Sequence, residues 1–513
     1  MNGRKGQHRR AAVAATSPLA AQAGLDLVHA GGNAVDAAIA AMGVAMVTEP
    51  GVVSPMGGAF LNVWPVGGDP VVVDGSVEMP GRGLARERFG GGLREITTSY
   101  GGGITIQAGH GSVATPGVFA CFQEAHDRYG SAPWAELLAP AVAAAERGFP
   151  LGTAAASYLA ITHDTLFGWD DETHAFLSRP DGAVVEAGDV LRSPELASSL
   201  RTIADHGADA VYTGELGRVL VEDMEQRGGL VTAADLTAYR AVVRPALTTR
   251  LGAWRLATNP PPSIGGPVLT ALLRLLGDEP APEVARVAAV QRAVLGYRRD
   301  RLDVAPDLEA AGRELLEVVA RGGLAGLPTS SSTAHVSVVD EDGTACAVTA
   351  SAGYGSGATV PGTGLMLNNC LGEPELNRRG LHALAPGTRL ASNMAPTTAV
   401  GAAGDRLAIG TPGADRITTA LMQVLHAYCV EGADLQQAID APRLHISFPG
   451  GQPRVEFEQD ARLAAGLAGS GLPVVAHPST SMYFGGVGAA LRSGQSVLSA
   501  AADPRRAAAT AVG

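Results

Sequence analysis

The chain has 513 residues, 46 per cent of them hydrophobic, enough for a sizeable core in one large α/β unit or in roughly two to four domains. Fifty acidic residues against 38 basic ones give a net charge of −12, which argues against a nucleic-acid or anionic-membrane partner. The four cysteines (Cys121, Cys346, Cys370, Cys429) are widely spaced and form no Cys-x-x-Cys, so they suggest neither a zinc site nor a disulfide framework.

Arg4, Lys5, Arg9 and Arg10 read as a frayed tail rather than a binding arm. Residues 1–30 lack an apolar stretch followed by a cleavage site, so the expected address is cytoplasmic. Ala11–Ala15 is strand-like, Ser17-Pro18-Leu19-Ala20 opens a helix to about His29, and Ala30-Gly31-Gly32-Asn33 turns into a second, Ala-rich helix from Ala34. That helix holds the longest apolar run, but Asp36 interrupts it and it is too short to span a bilayer.

Strands are expected at 61–65 and 70–74. Gly101-Gly102-Gly103 and the stretch from Gly109 through His110 to Gly117 are glycine-rich, but neither has the G-x-x-x-x-G-K-[ST] pattern of a phosphate loop, and His110 reads as structural. Helices are expected at 134–147, 194–206, 214–227 and 233–240. His163-Asp164 resembles half a triad, but no nearby serine motif supports it, and the pair reads as a surface feature. Pro260-Pro261-Pro262 leads into an apolar helix over 267–277, and residues 303–329 read as a linker.

Two alternating runs then flank Glu341-Asp342-Gly343, and the closing Asp-Gly is a strong hairpin signal. With those three residues as the loop, Asp340 faces Thr344, and counting back sets Thr333 opposite Ser351. The Ser- and Gly-rich segment 321–332 is exposed and cleavable in character. A threonine hydroxyl is a poor nucleophile near pH 7 unless a base takes its proton. Cutting the chain just before Thr333 would free its own α-amine, whose pKa of about 7.7–8.0 suits that task. Further on, a strand at 407–409 runs into Gly410-Thr411-Pro412-Gly413-Ala414 and a helix over 415–429. A glycine loop feeding a helix N-terminus offers free backbone N–H groups and a positive dipole end to an anion.

Thr333 to Asp340, with Tyr354-Gly355-Ser356-Gly357 and Pro361-Gly362-Thr363-Gly364-Leu365-Met366-Leu367-Asn368-Asn369, resembles the γ-glutamyltransferase (γ-glutamyltranspeptidase, glutathione hydrolase) family. Gly31-Gly32-Asn33-Ala34-Val35-Asp36-Ala37-Ala38 and Pro55-Met56-Gly57-Gly58-Ala59-Phe60 extend the likeness, which runs from about residue 11 to 505. The resemblance implies an N-terminal-nucleophile (Ntn) hydrolase of α+β class, an αββα four-layer sandwich. It also implies self-cleavage between Ser332 and Thr333, giving a large fragment (1–332) and a small one (333–513) that associate as one compact unit. Thr333 then corresponds to the nucleophile, Ser351 to the second hydroxyl that positions the new amine, and Gly413 and Ala414 to the oxyanion hole. His335 corresponds to a mainly structural residue.

For substrate, the resemblance matches Cys370 and Glu373 to the pair that holds an α-amino group, and Ser392 and Asn393 to a serine pair that holds a carboxylate. The family's carboxylate-gripping arginine falls here on Ser76 or Val77, with Arg82 several residues away, and Ala352-Gly353 lacks the family's asparagine. A missing bidentate arginine costs a γ-glutamyl substrate on the order of 1.5–3 kcal/mol per charged hydrogen bond. The function implied is cleavage of a γ-glutamyl or related small acyl group through an acyl-enzyme, without cofactor or metal. The acyl group passes to water or an amine acceptor. The alternatives are an oxamate/oxalyl-type amidohydrolase, a cephalosporin-type acylase, a C–C hydrolase of natural-product biosynthesis, or an unprocessed binding protein.

Overall fold

Period-two alternation in the Ala- and Val-rich strands decides which layer each residue enters. In the first strand Ala11, Val13 and Ala15 face one core, while Ala12 faces another. The same split recurs in the hairpin, where Ala334, Val336 and Val338 face the first core and Val339 the second. The structure, a computed structural model, describes residues 9–98, 103–321, 333–374, 376–506 and 508–513.

One sheet has seven strands in the order Ala509–Val512, Ala11–Ala15, Ala334–Asp340, Ala345–Ser351, Gly58–Trp64, Val71–Gly75 and Val242–Pro245. The other has six: Leu498–Ala502, Gly488–Arg492, Arg406–Gly410, Thr397–Gly401, Trp254–Thr258 and Leu247–Leu251. Every neighbouring pair in both is antiparallel. The sheets meet on a seam that is mostly alanine (Ala12, Ala257, Ala345, Ala347, Ala408, Ala490), so little side-chain bulk separates them. Helices Pro18–His29 and Ala34–Thr48 cover the outer face of the seven-stranded sheet, and Gly265–Leu276 and Arg416–Cys429 cover that of the six-stranded one. The result is the expected αββα sandwich. Both sheets mix strands from before and after residue 333.

Asp36 explains its own intrusion into an apolar run. It closes a capping box with Asn33 at the start of Ala34–Thr48, and its carboxylate accepts from the amides of Ser131 and Ala132 and from the Ser131 hydroxyl. A buried carboxylate is tolerated where hydrogen bonds replace its water. Among the described residues no helix is long and apolar enough to cross a membrane.

Three expectations need correction. Residues 308–321 of the supposed linker form a helix, Leu308–Arg321, because Ala311, Leu315 and Val319 recur at helical spacing and bury against the core under the six-stranded sheet. His163 is not on the surface. It is 4 % exposed, on a helix Thr153–Leu166 that the linear pattern missed, with Nδ1 2.7 Å from Asp164 and Nε2 2.8 Å from the Ser178 hydroxyl. Nor do Arg9 and Arg10 fray, since they pair with Asp342 and Glu341 of the hairpin loop. Arg4, Lys5, Gly101, Gly102, Ser332 and the rest of 322–332 lie outside the described residues.

Candidate active site

The hairpin is fixed at its closed end and functional at its open end. One Asp340 carboxylate oxygen accepts from the amides of Gly343 (3.0 Å) and Thr344 (2.9 Å), and the other accepts from Ala34 N–H (3.1 Å) at the start of the buried helix. The loop is therefore tied to the outer layer, and the register cannot slip without burying the wrong faces. Ala334 pairs with Ala350 and His335 with Thr349, and one further step sets Thr333 opposite Ser351.

Thr333 and Ser351 both line one cavity, and Ser76, Cys370, Glu373, Ser392 and Asn393 line it too. Thus all five residues expected to meet substrate come together around these two hydroxyls. The free space is about 30 Å³. Asn393 is 3 % exposed, and neither atom of its side-chain amide has a hydrogen-bond partner. A buried amide left with two donors and an acceptor to satisfy marks a place where a ligand or water belongs. Cys370 is a neutral thiol, because burial, and then the neighbouring Glu373 carboxylate, pushes its pKa well above the usual value.

No lysine or arginine lines this cavity among the described residues. Arg82 lies 3.7 Å from Asp235 and 3.9 Å from Glu78, outside it. Arg389 is committed elsewhere: it stacks 4.6 Å over the Tyr239 ring, pairs with Glu78 at 3.1 Å and donates to the Ser76 carbonyl at 2.7 Å. It thereby fixes the strand end that presents Ser76. Linear reading overlooked this arginine, although it opens the Arg389-Leu390-Ala391-Ser392-Asn393 stretch.

The glycine loop approaches from the facing sheet. A Cβ on Gly410 would sit 2.2 Å from the His335 ring, so the strand can reach this point only as glycine. Pro412 shares a second small cavity with Thr333. Gly413 has φ +128° and Ala414 φ +66°, both in the left-handed region. Their carbonyls accept from Arg416 and Ile417 (3.0 and 3.2 Å), while their own N–H groups meet no acceptor among the described residues. Behind the loop, Arg416 pairs with Asp415 at 2.7 Å, donates to the Tyr483 carbonyl at 3.0 Å and stacks 4.6 Å over the Tyr483 ring. Burial alone would raise the Asp415 carboxyl, but the bond to His445 and the charge of Arg416 outweigh it and hold the carboxyl below the usual range.

His335 is 4 % exposed, its Nδ1 is 2.8 Å from Thr349 Oγ1 and its Nε2 is 2.7 Å from Ser337 Oγ. Burial pushes its pKa down to about 3. With both nitrogens occupied it has no free atom to act as a base. His110 is likewise built into the fold, 2.9 Å from Asp223. His163, Asp164 and His174 bring possible metal-ligand atoms within 4.8 Å, but Asp164 and Ser178 already occupy both nitrogens of His163.

Comparison with known proteins follows the same lines. The family profile described as Gamma-glutamyltranspeptidase matches residues 20–294 and 274–513. The chain is 31% identical over 500 residues to the acylase ACY 1 proenzyme of Pseudomonas sp. (strain SE83), covering 91% of this chain and 88% of that one. It is 29% identical over 488 residues to the glutathione hydrolase proenzyme of Escherichia coli (strain K12), covering 86% and 82%. The crystal structure of cephalosporin acylase from Bacillus halodurans superposes with a TM-score of 0.79 at 25% identity, covering 100% of this chain and 97% of that one.

Proposed function

The chain belongs to the gamma-glutamyltranspeptidase family, an enzyme family of the Ntn-hydrolase class, and on that premise we propose that it cuts itself before Thr333 and then uses the freed residue to cleave small acyl amides. The observation that carries this reading is the meeting of Thr333, Ser351 and the unsatisfied Asn393 amide on one cavity.

In processing, Thr333 Oγ attacks the Ser332 carbonyl carbon, the C–N bond breaks, and water hydrolyses the resulting ester. In turnover, the α-amine accepts the hydroxyl proton, Oγ attacks the substrate carbonyl, and the amine portion of the substrate leaves with that proton. Water or an acceptor amine then releases the acyl group. Ser351 steadies the α-amine across the hairpin. The N–H groups of Gly413 and Ala414 receive the oxyanion. Because both sheets contain strands from both fragments, hydrogen-bonded to one another, the fragments stay together after the cut.

The lining of the cavity favours a related small acyl group over γ-glutamyl. An α-carboxylate has no cation to meet there, whereas Glu373, Asn393, Ser392 and Ser76 suit neutral or donor-bearing groups. Parallel assays of γ-glutamyl-p-nitroanilide and short neutral acyl p-nitroanilides on the processed protein test the choice. A higher kcat/KM for the short acyl amides is expected, and a clear preference for γ-glutamyl would reverse the assignment.

A further inference from the structure

A second cavity of about 30 Å³ lies against Thr333, lined also by Thr16, Glu49, His335 and Arg506. Glu49 follows directly on the wholly buried helix Ala34–Thr48 and is itself 3 % exposed. Its Oε1 has no hydrogen-bond partner, and neither have Thr16 Oγ1 or Arg506 Nε and Nη2. Four orphaned polar atoms around one void large enough for a water or two describe a built polar site rather than a packing fault.

Self-cleavage has a chemical gap that this site fills. The α-amine of Thr333 serves as base only once it exists; before the cut it is an amide nitrogen and cannot take a proton. His335 has both nitrogens engaged. We propose that Glu49 is the proton acceptor for the first attack by Thr333, acting through one water held in this cavity by Thr16 and Arg506. The inference rests on the reading of Thr333 as the self-cleaving nucleophile.

Thr333 Oγ bonds to the carbonyl carbon of residue 332 while its proton passes through the water to the Glu49 carboxylate. The C–N bond breaks, and Glu49 returns the proton to the departing nitrogen, which becomes the α-amine. Water then hydrolyses the ester, leaving a carboxylate on residue 332 and a free hydroxyl on Thr333. Burial raises the Glu49 carboxyl from 4.5 to about 8, although Arg506 lowers it somewhat, so its ionised form is a stronger base than an exposed carboxylate. The titratable groups facing the cavity are Glu49, Arg506 and His335, and burial pushes His335 down to about 3, which leaves it neutral near pH 7.

The test follows precursor conversion into two fragments by denaturing electrophoresis between pH 6 and 9, in the full-length chain and its E49Q, E49D, R506Q and T333A variants. Glutamine keeps the shape of the protonated carboxyl, so E49Q should fold, which thermal melting against the T333A precursor checks. The wild-type rate should rise with pH through a limb near 8. E49Q should be at least about a hundredfold slower and lose that limb. E49D should regain part of the rate with a limb, and R506Q should move the limb to higher pH. Should E49Q prove unfolded, the R506Q limb decides alone: an upward shift supports the proposal, and an unchanged limb overturns it. An E49Q that cleaves at the wild-type rate, or keeps the wild-type limb, likewise overturns it. Cleavage of T333A at residue 333 would instead sink the nucleophile reading itself.

Discussion

Ser351 stands across the hairpin from Thr333, one step beyond the Ala334–Ala350 pair, and both open onto the same cavity. On the proposed mechanism Ser351, whose hydroxyl also accepts from the Gly353 amide at 3.1 Å, holds the new α-amine beside Oγ. Ser351→Ala should lower kcat about 10- to 100-fold, the scale of one hydrogen bond to a charged group, with little change in KM. Steady-state kinetics on the processed protein decide it. An effect on KM alone would place Ser351 in substrate binding instead.

Asn393 should act the other way. Its side-chain amide is buried at the cavity without a partner in the protein, and on the proposed reading substrate supplies that partner. Asn393→Ala is expected to raise KM about tenfold while precursor cleavage continues, because processing needs no bound substrate. An unchanged KM, or loss of precursor cleavage, would contradict the assignment.

The loop proposed to receive the oxyanion makes opposite predictions for adjacent residues. Ala414 holds φ +66°, a conformation that costs a side-chain-bearing residue roughly 1–2 kcal/mol, so Ala414→Gly should raise thermal stability and retain activity. Gly413→Ala meets both an unfavourable φ and a Cβ contact of 2.9 Å with the Gly485 backbone. It should reduce turnover sharply, because an amide that moves no longer points at the oxyanion. Melting curves and kcat for the two variants test the pair.

His335 predicts an acid-side stability loss. The unfolded chain protonates this histidine near pH 6.5, whereas in the folded protein burial pushes the pKa down to about 3. Below 6.5 the unfolded state therefore binds the extra proton. Stability should fall with pH in that window, with this one group contributing about 1.4 kcal/mol per pH unit. His335→Gln should flatten the pH dependence of the melting temperature between pH 6.5 and 4. An unchanged slope would mean that other groups dominate it.

Local pattern carried much of this fold. Alternation and an Asp-Gly loop were enough to set the register of Thr333 against Ser351, because a hairpin's pairing is decided within twenty residues. The expected helices over 134–147 and 194–206 match Trp134–Arg147 and Pro194–His206. The pocket residues came from resemblance: nothing local ties Ser76 to Asn393 until the two sheets stack. What escaped was long-range or masked by composition. The helix Leu308–Arg321 hid behind alanines, glycine and charges, although its apolar stripe was present at every fourth residue. His163 looked exposed because its serine partner arrives fifteen residues later, beyond a further short helix, Asp171–Phe176. Glu49 meets Arg506 only through tertiary folding, and its one local signal was a lone charge ending an apolar run.

Everything in the mechanism depends on an amine being made at residue 333. Intact mass measurement with N-terminal sequencing of the purified, aged protein tests that most directly. The account predicts two chains of 332 and 181 residues, the smaller beginning at Thr333, and no conversion in Thr333→Ala. A single 52.0 kDa chain that persists and yet turns over substrate would contradict it.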